Sequence, residues 1–381
     1  IAKSLDLRAA ESEGGERESE RPEIRAPASE MLESYDYDFP MFTGFVQTRS
    51  ATPVIMVNGS SGDVSVEVTG FVINGGSVTS ENSEYGLTGV FYLNADGTIA
   101  ENEVKNIWGE KAGEEEEPPS AFNGIGIGVY SGSSNEVTIC SNNVHDYTGA
   151  ESFGIFVYGA GAKATVTENT VTGARSAEFL DQCGILVAMG ASATVNDNLV
   201  SDHVFCEEGG EWLGSTGIGF CEASGSAQGN TLIDNELGFW AEVGGQQDST
   251  RVVFRDNTVD ASGLSGLSEV TTKGIVLSTF WYWYPIYEGE PTLTATVTGN
   301  QFVGGTGAGA GTGTGITVGN TICWLPEHHP GFGTVTAAIA RNTVSSWEKG
   351  VELLENSDST VYLNDFVNNT QNAVGDGSTN N

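Results

Sequence analysis

The chain has 381 residues and a formal net charge of −36, because 51 Asp and Glu side chains stand against 15 Lys and Arg. A charge of this size and sign excludes nucleic acids, anionic membrane surfaces and polyanionic glycans as expected partners, since all of them would be repelled. No run of 18 apolar residues occurs, so the sequence predicts no transmembrane segment.

Residues 1–45 differ in composition from the rest of the chain and are predicted to form an acidic N-terminal arm and a cap. Glu and Arg are frequent in residues 9–25, and residues 1–25 are predicted to be an unattached arm, either mobile or ordered by a partner. A stack of strands must cover the open end of its core, and residues 31–45 are predicted to do this. Residues 46–381 are predicted to form one domain.

Two sequence marks recur through this domain. Nine asparagines each have an apolar residue three positions earlier and another two positions later: Asn102, Asn142, Asn169, Asn198, Asn230, Asn257, Asn300, Asn342 and Asn364. Between them stands a glycine that opens an alternating apolar strand: Gly89, Gly124, Gly154, Gly184, Gly217, Gly238, Gly274, Gly315 and Gly350. The two marks alternate strictly along the chain.

This repeat predicts an all-β solenoid. The interval between consecutive asparagines varies from 22 residues (Asn342 to Asn364) to 43 residues (Asn257 to Asn300), so each unit is one coil with turns of variable length. Three short strands per coil predict a three-sided parallel β-helix of about nine to ten coils. Stacked at about 4.8 Å, the asparagines are expected to hydrogen-bond along a structural ladder and to adopt the left-handed backbone of a sharp corner.

The elements Gly-Ile-x-Val and x-Asn-x-Val, and especially the closing segment 361–372, resemble the right-handed parallel β-helix repeats of the pectin-lyase-like superfamily. The resemblance covers roughly residues 50–372, and it is closest to the repeats of non-catalytic appearance in archaeal and bacterial surface proteins. It implies that the predicted parallel β-helix is right-handed. It also implies that any catalysis would use the outer face of strand one, where enzymes of this superfamily carry paired carboxylates, or basic residues with bound calcium.

The outward side chains of strand one are predicted to form an apolar face. Counted from the glycine, they are Phe91, Gly126, Phe156, Leu186, Gly219, Trp240, Val276, Thr317 and Glu352. Glu242 and Glu352 are the only acids near this strand, so the sequence predicts no carboxylate pair for glycoside cleavage and no enzyme. The large apolar members of the face are predicted to form an interface: Phe91, Phe156, Leu186, Trp240 and Val276.

Two long turns in successive coils, residues 278–291 and 320–333, concentrate aromatic side chains. The aromatic residues of interest are Phe280, Trp281, Tyr282, Trp283, Tyr284, Tyr287, Trp324 and Phe332. Three interpretations remain open: a small hydrophobic core under the loops, a surface that stacks against sugar rings, and a protein interface.

Cysteines and glycosylation sequons favour an exported protein, either secreted or held at the cell surface. The sequons begin at Asn58 and Asn368. Cys183 and Cys206 lie in equivalent turns of successive coils and are predicted to form a disulfide. No CxxC pair occurs and the histidines lack ligand spacing, so no metal and no cofactor are expected, and no specific motif supports structural calcium.

These observations predict an extracellular, non-enzymatic structural or adhesive surface protein. It is expected to assemble with copies of itself into an array or filament, through the N-terminal arm and the apolar face of strand one. The alternative is a polysaccharide-binding or carbohydrate-active β-helix protein that uses the aromatic loops, with neutral glycans as its partners.

Overall fold

The structure of the protein is a computed structural model that describes residues 3–8, 21–26, 35–40, 46–76, 86–108, 124–149, 151–175, 181–204, 215–244, 247, 249–264, 272–279, 290–305, 313–319 and 333–375. Three long sheets contain nearly all of its regular structure. A pair of short strands, Ile107–Trp108 and Tyr147–Thr148, and the 3₁₀ turn Ser262–Leu264 lie outside them. Within the described residues, no helix is long and apolar enough to cross a membrane.

Among the described residues, sheet 1 contains the strands that open the coils and has 12 strands: Tyr35–Pro40, Val46–Asn58, Leu87–Leu93, Ile125–Tyr130, Glu151–Tyr158, Asp181–Ala188, Thr216–Cys221, Leu237–Val243, Lys273–Thr279, Thr314–Val318, Lys349–Leu353 and Gln371–Gly375. Sheet 2 has 11 strands: Lys3–Arg8, Val64–Thr69, Asp96–Ala100, Asn135–Cys140, Ala162–Thr167, Ser192–Asn196, Ser224–Gln228, Ser249–Arg255, Thr292–Thr298, Thr334–Ala340 and Ser357–Tyr362. Sheet 3 also has 11: Glu23–Arg25, Val72–Asn74, Glu103–Lys105, Asn143–Val144, Thr170–Thr172, Leu199–Ser201, Thr231–Ile233, Thr258–Asp260, Gln301–Val303, Thr343–Ser345 and Asp365–Val367.

The chain visits sheets 1, 2 and 3 in turn and then begins the next coil. Each strand pairs in parallel with its equivalent one coil later, as Ala162–Thr167 does with Ser192–Asn196. The predicted all-β parallel solenoid is therefore confirmed. Sheets 2 and 3 each have 11 strands within the described residues, more than the nine to ten coils predicted.

The additional strands come from the N-terminal residues. Lys3–Arg8 pairs in parallel with Val64–Thr69, and Glu23–Arg25 pairs with Val72–Asn74. The prediction of an unattached arm is therefore wrong for these two segments, because their backbone groups continue sheets 2 and 3. This coil was not recognised from the sequence, because the coil has neither the asparagine nor the glycine of the repeat. Tyr35–Pro40, within the predicted cap, runs antiparallel to the strand that follows it.

The core lies inside the triangle of the three sheets. Apolar side chains stack in columns, one of which contains Ile99, Ile139, Val166 and Val195, all fully buried. Each such side chain contributes about 1.5 to 3 kcal/mol when it leaves water. The core continues to the last coil, where Val361 and Phe366 pack against it but are only partly buried.

The asparagines form a hydrogen-bonded column at the corner between sheets 2 and 3. The Oδ1 of Asn198 accepts hydrogen bonds from the backbone N–H and the Nδ2 of Asn169, at 2.9 and 3.0 Å. The Nδ2 of Asn198 donates to the carbonyl of Val166. The same Asn-to-Asn contacts run from Asn102 to Asn364. Each coil is thereby fixed to the next in one register.

The left-handed backbone belongs to the residue before each asparagine. Asp197 has a φ of 54° and Asp256 has a φ of 53°, whereas the asparagines that follow them are not left-handed. The expectation that the asparagine itself makes the corner is therefore wrong. The preceding residue turns the backbone, which leaves the amide side chain free to point along the stack.

The glycines of strand one mark the closest approach between coils. A Cβ on Gly154 would lie 2.6 Å from the carbonyl oxygen of Gly184 and 2.4 Å from Cγ1 of Val171, too close for any side chain. In the strand that follows Gly124, the glycine that aligns with Gly154 is Gly126. The outward residue of this strand is therefore Gly128, and the predicted register is wrong there by two residues. The period of two made both frames equally plausible.

Candidate functional site

The outer face of sheet 1 carries two parallel columns of side chains, both followed from strand to strand by the pairing register. The first contains Met56, Phe91, Gly128, Phe156, Leu186, Gly219, Trp240, Val276, Thr317 and Glu352. The second lies two residues further along each strand and contains Leu93, Tyr130, Tyr158, Ala188, Cys221, Glu242 and Ser278. Of the second column, only Glu242 was named from the sequence.

The N-terminal half of this face is a second apolar core. Phe156 stacks between Phe153 and Tyr158, with ring centroids 4.4 and 4.1 Å apart, and Tyr158 also contacts Tyr130. Leu186 and Cys183 belong to the same buried cluster. These side chains cover one another because stacked strands place equivalent residues about 5 Å apart.

The prediction of an exposed apolar interface is therefore wrong. Phe91, Phe156, Leu186 and Val276 are buried within the chain, and Trp240 is partly buried. The sequence showed that these side chains point away from the first core, but it did not show that they are covered. A partner molecule consequently finds no apolar stripe at these positions.

The C-terminal half of the same face is buried but polar. Cys221 Sγ lies 3.7 Å from Oε1 of Glu242 on the adjacent strand. The other carboxyl oxygen of Glu242, the hydroxyl of Ser278 and the hydroxyl of Thr317 are buried and have no hydrogen-bond partner among the described residues. An unsatisfied buried polar group costs about 1 to 3 kcal/mol, so this cluster is an unusual feature of the fold.

Glu222 borders this polar half and holds a turn. Its two carboxyl oxygens accept hydrogen bonds from the backbone N–H groups of Gly244, at 2.6 Å, and Gln247, at 2.9 Å. The residue is fully buried and has a left-handed φ of 53°. Its side chain therefore has a structural role in shaping the turn after strand one.

Burial and, next, the neighbouring Glu222 raise the pKa of Glu242 well above its usual value. Burial and the nearby Glu242 likewise raise the pKa of the Cys221 thiol. Both shifts favour the uncharged forms of the pair, a carboxylic acid beside a thiol. A neutral acid does not act as a base, and a thiol is a weak nucleophile compared with a thiolate.

Glu352, the other acid named by the sequence, does not complete a catalytic pair with Glu242. It lies in the first column, three strands further along sheet 1, a distance of about 14 Å by strand spacing. Its Oε1 accepts a hydrogen bond from Lys349 at 2.5 Å. Two carboxyl groups that cleave a glycosidic bond stand roughly 5 to 10 Å apart.

A buried histidine network crosses the turns between sheets 3 and 1. Nδ1 of His203 lies 2.7 Å from Oδ1 of Asn235, whose Nδ2 donates to the carbonyl of Val200. The amide oxygen only accepts, so Nδ1 carries the proton and Nε2 accepts the hydrogen bond of the Tyr147 hydroxyl. Burial lowers the pKa of His203 to about 4, so this imidazole is neutral at physiological pH.

The remaining predicted sites divide into those that the structure describes and those that it does not. Asn58 and Asn368, the first residues of the sequons, are exposed. The aromatic residues Phe280, Trp281, Tyr282, Trp283, Tyr284, Tyr287, Trp324 and Phe332 lie outside the described residues, as does Cys206, so the loop surface and the Cys183–Cys206 disulfide stay predictions. Within the described ranges, no group of three or more His, Cys, Asp or Glu side chains is arranged to hold a metal ion.

Cys221, Glu222, Ser278 and Thr317 were not recognised as a cluster from the sequence. The available signal was the position two residues after each outward residue of strand one, since Cys221, Glu242 and Ser278 follow Gly219, Trp240 and Val276. The two outward positions of each strand align Cys221, Glu242 and Ser278 in one column and place Thr317 in the other.

A comparison with protein families agrees with this geometry. The family model described as right handed beta helix region matches residues 55–280. No curated protein matches the chain. Among solved structures, the chain is similar to the surface protein and adhesin PfbA of Streptococcus pneumoniae, with 10% sequence identity, a TM-score of 0.37, and coverage of 87% of this chain and 90% of that chain.

Proposed function

This chain belongs to the right-handed β-helix family, and we propose that it is a non-enzymatic structural and adhesive protein of the extracellular surface. In this role the β-helix is a rigid support for its long turns, and its partners are copies of itself. The protein uses no cofactor. Because one fold supports many functions, the proposal rests on the site and not on the family.

The observation that carries the proposal is the closed outer face of sheet 1, where a β-helix enzyme would hold its substrate. Phe91, Phe156 and Val276 are buried there. Glu242 is buried with its pKa raised well above the usual value, and Glu222 beside it accepts hydrogen bonds from two backbone N–H groups. Among the described residues, this face offers solvent no pair of carboxyl groups for acid–base chemistry.

Surface features support an extracellular location and a limited set of partners. Both sequon asparagines, Asn58 and Asn368, are exposed, which N-glycosylation requires. The net charge of −36 favours solubility and repels anionic polymers. Neutral glycans and other copies of the chain remain compatible with this charge.

The test is an activity and adhesion measurement on the purified chain. We expect no reducing ends and no unsaturated products from a panel of neutral and acidic polysaccharides, and we expect beads coated with the chain to adhere to one another. Turnover that is abolished by Glu242→Gln, but not by the control Glu352→Gln, would overturn the proposal. Coated beads that stay dispersed would remove its adhesive part.

A further inference from the structure

The outer face of sheet 2 carries three columns of side chains, which the pairing register follows from Val64–Thr69 to Thr334–Ala340. The middle column contains Glu67, Thr98, Thr138, Thr165, Thr194, Ser226, Val253, Thr296 and Ala338. The first column lies two residues earlier on each strand and contains Ser65, Asp96, Glu136, Lys163, Ser192, Ser224, Arg251, Thr294 and Thr336. The third lies two residues later and contains Thr69, Ala100, Cys140, Thr167, Asn196, Gln228, Arg255, Thr298 and Ala340.

The middle column is almost free of charge, although the chain carries a net charge of −36. Glu67 is its one charged member. Thr138, Thr165 and Val253 are half-buried, and their β-branched side chains have few rotamers to lose. Another surface can therefore approach this column closely without removing charges from water.

The charges of the first and third columns are divided by sign along the solenoid. Asp96 and Glu136 lie on its N-terminal strands, beside Lys163, whereas Arg251 and Arg255 lie together on a strand of its C-terminal half. Both arginines are exposed, and neither has an ion-pair partner among the described residues. The face thus has an acidic half and a basic half.

Short turns border the middle of this face. The strands from Asn135–Cys140 to Ser224–Gln228 are entered through turns of two to four residues, namely 131–134, 159–161, 189–191 and 222–223. They are left through the two-residue corners that contain the asparagine column. No described turn in these coils is long enough to cover the face, so it is open to a large partner.

We propose that the outer face of sheet 2 binds the same face of a second copy of this chain, about a two-fold axis that runs parallel to the strands over Thr194. Such an axis reverses the order of the coils and keeps the position along each strand. Glu136 of one copy then faces Arg251 of the other, and Thr138 faces Val253. Throughout the three columns, no acid faces an acid and no cation faces a cation.

Arg255 of the second copy lies opposite Cys140 in this arrangement. The pKa of the Cys140 thiol is raised by burial and then by three nearby carboxylates, those of Glu101, Glu168 and Glu67. The cation of one copy is therefore placed among the acids of the other. At the neighbouring corner, the one like-charge opposition is that of Asp197 with its own copy on the axis.

A two-fold axis along the solenoid is disfavoured. It would exchange the first and third columns within each coil and place Arg251 of one copy opposite Arg255 of the other. Charge complementarity therefore selects the axis that is parallel to the strands.

The size of the face is sufficient for a stable dimer. Nine strands at the usual spacing span about 40 Å, and five to six residues span about 17 Å, so each copy contributes roughly 700 Å². Stable interfaces bury about 800 Å² on each partner. A contact between identical faces closes as a dimer. The inference specifies the partner within the proposed function and rests on it, with sheet 2 as the assembling surface in place of sheet 1.

Sedimentation of the full chain over a wide concentration range tests the contact. Salt of at least about 0.15 M should be present, because it screens the long-range repulsion between two acidic chains. The parent should form dimers. Glu136→Arg should weaken dimerisation about tenfold or more, since it opposes two cations at two symmetry-related positions. Asp365→Arg, a comparable change at an exposed acid on sheet 3, should dimerise like the parent. Equal circular dichroism and melting temperatures establish that both variants fold.

A mixing experiment tests the symmetry. Glu136→Arg and Arg251→Glu each oppose like charges in their own homodimers, but a mixed pair opposes unlike charges at both positions. Each variant should therefore be monomeric alone and should form a heterodimer when the two are mixed. The double variant, with both substitutions in one chain, should dimerise again. A parent that is monomeric at every concentration, equal dimerisation of Glu136→Arg and the parent, or a mixture without heterodimers would each overturn the proposal.

The outcome is separable from the proposed function. A monomeric parent that cleaves no polysaccharide contradicts the dimer and leaves a non-enzymatic role in place. A dimer with the expected mixing behaviour, accompanied by Glu242-dependent turnover, supports the contact and contradicts the non-enzymatic role.

Discussion

The hydroxyl of Tyr147 donates a hydrogen bond to Nε2 of His203 in the interior of the chain, two coils away along the solenoid. Both side chains are fully buried, and burial raises the pKa of Tyr147 while it lowers the pKa of His203. The network is therefore stable only while both groups are neutral. It makes the fold sensitive to acid at a position far from either end.

The first prediction concerns this acid sensitivity. The pKa of His203 is about 4 in the fold and 6.5 in the unfolded chain, so between these values the unfolded chain binds the additional proton. The contribution of His203 to stability should be full above pH 6.5 and should fall by about 3 kcal/mol as the pH decreases to 4. Urea denaturation at several pH values measures this slope. His203→Gln should have a smaller slope in this range, and an unchanged slope would contradict the assignment.

A second prediction concerns the asparagine column. Asn198→Ala removes hydrogen bonds to Asn169, Val166 and Asn230 and leaves buried backbone groups without partners, so it should cost about 1 to 3 kcal/mol. Asn196→Ala is the matched control, because the Oδ1 of Asn196 has no hydrogen-bond partner in the described structure. Thermal denaturation of both variants compares them. Equal melting temperatures would show that the column is not a stabilising element.

The glycine column gives a third prediction. Gly154→Ala should destabilise the fold by about 1 to 3 kcal/mol, because the new Cβ would collide with the backbone of the next coil and with Val171. Gly132→Ala is the control, since the nearest atom to its new Cβ is the Tyr130 hydroxyl oxygen at 3.9 Å. If the denaturation midpoints of both variants shifted equally, close packing at Gly154 would not explain why a glycine recurs at this position in each coil.

Glu242 provides a fourth prediction with the opposite dependence on pH. Its pKa is raised in the fold, so the folded chain retains a proton that the unfolded chain releases above its usual pKa of 4.5. Its contribution to stability is present below pH 4.5 and declines as the pH rises. Glu242→Gln should therefore stabilise the chain at pH 7 and flatten this decline. Glu352→Gln, at a partly exposed side chain paired with Lys349, should not stabilise it.

The fold was predictable because its constraints recur in every coil. Asn198 and Gly154 occupy positions where only one residue type fits, so nine repetitions made the solenoid visible in the sequence. The first coil was missed because Lys3–Arg8 is held by backbone pairing, which leaves no mark on side-chain identity. A position such as Gly124 was misaligned because a two-residue period permits two frames.

The site was less predictable because burial depends on more than one strand. Phe91 and Val276 point away from the first core, and their sequence neighbours do not reveal that other side chains cover them. Glu242 was recognised as an acid near strand one, but its raised pKa follows from burial and from Glu222 in the preceding coil. Such relationships arise from stacking and appear only when the strand register is known.

The number of residues between successive asparagines also determines how the chain would unfold under mechanical force. Each coil pairs its strands only with those of its two neighbours, so a pull on one terminus would detach the terminal coil while the remainder stays intact. Every detached coil would release the 22 to 43 residues between successive asparagines. At about 3.5 Å per residue, these correspond to contour-length increments of roughly 8 to 15 nm. Pulling single molecules should therefore give a series of unequal steps whose order reports the order of the coils.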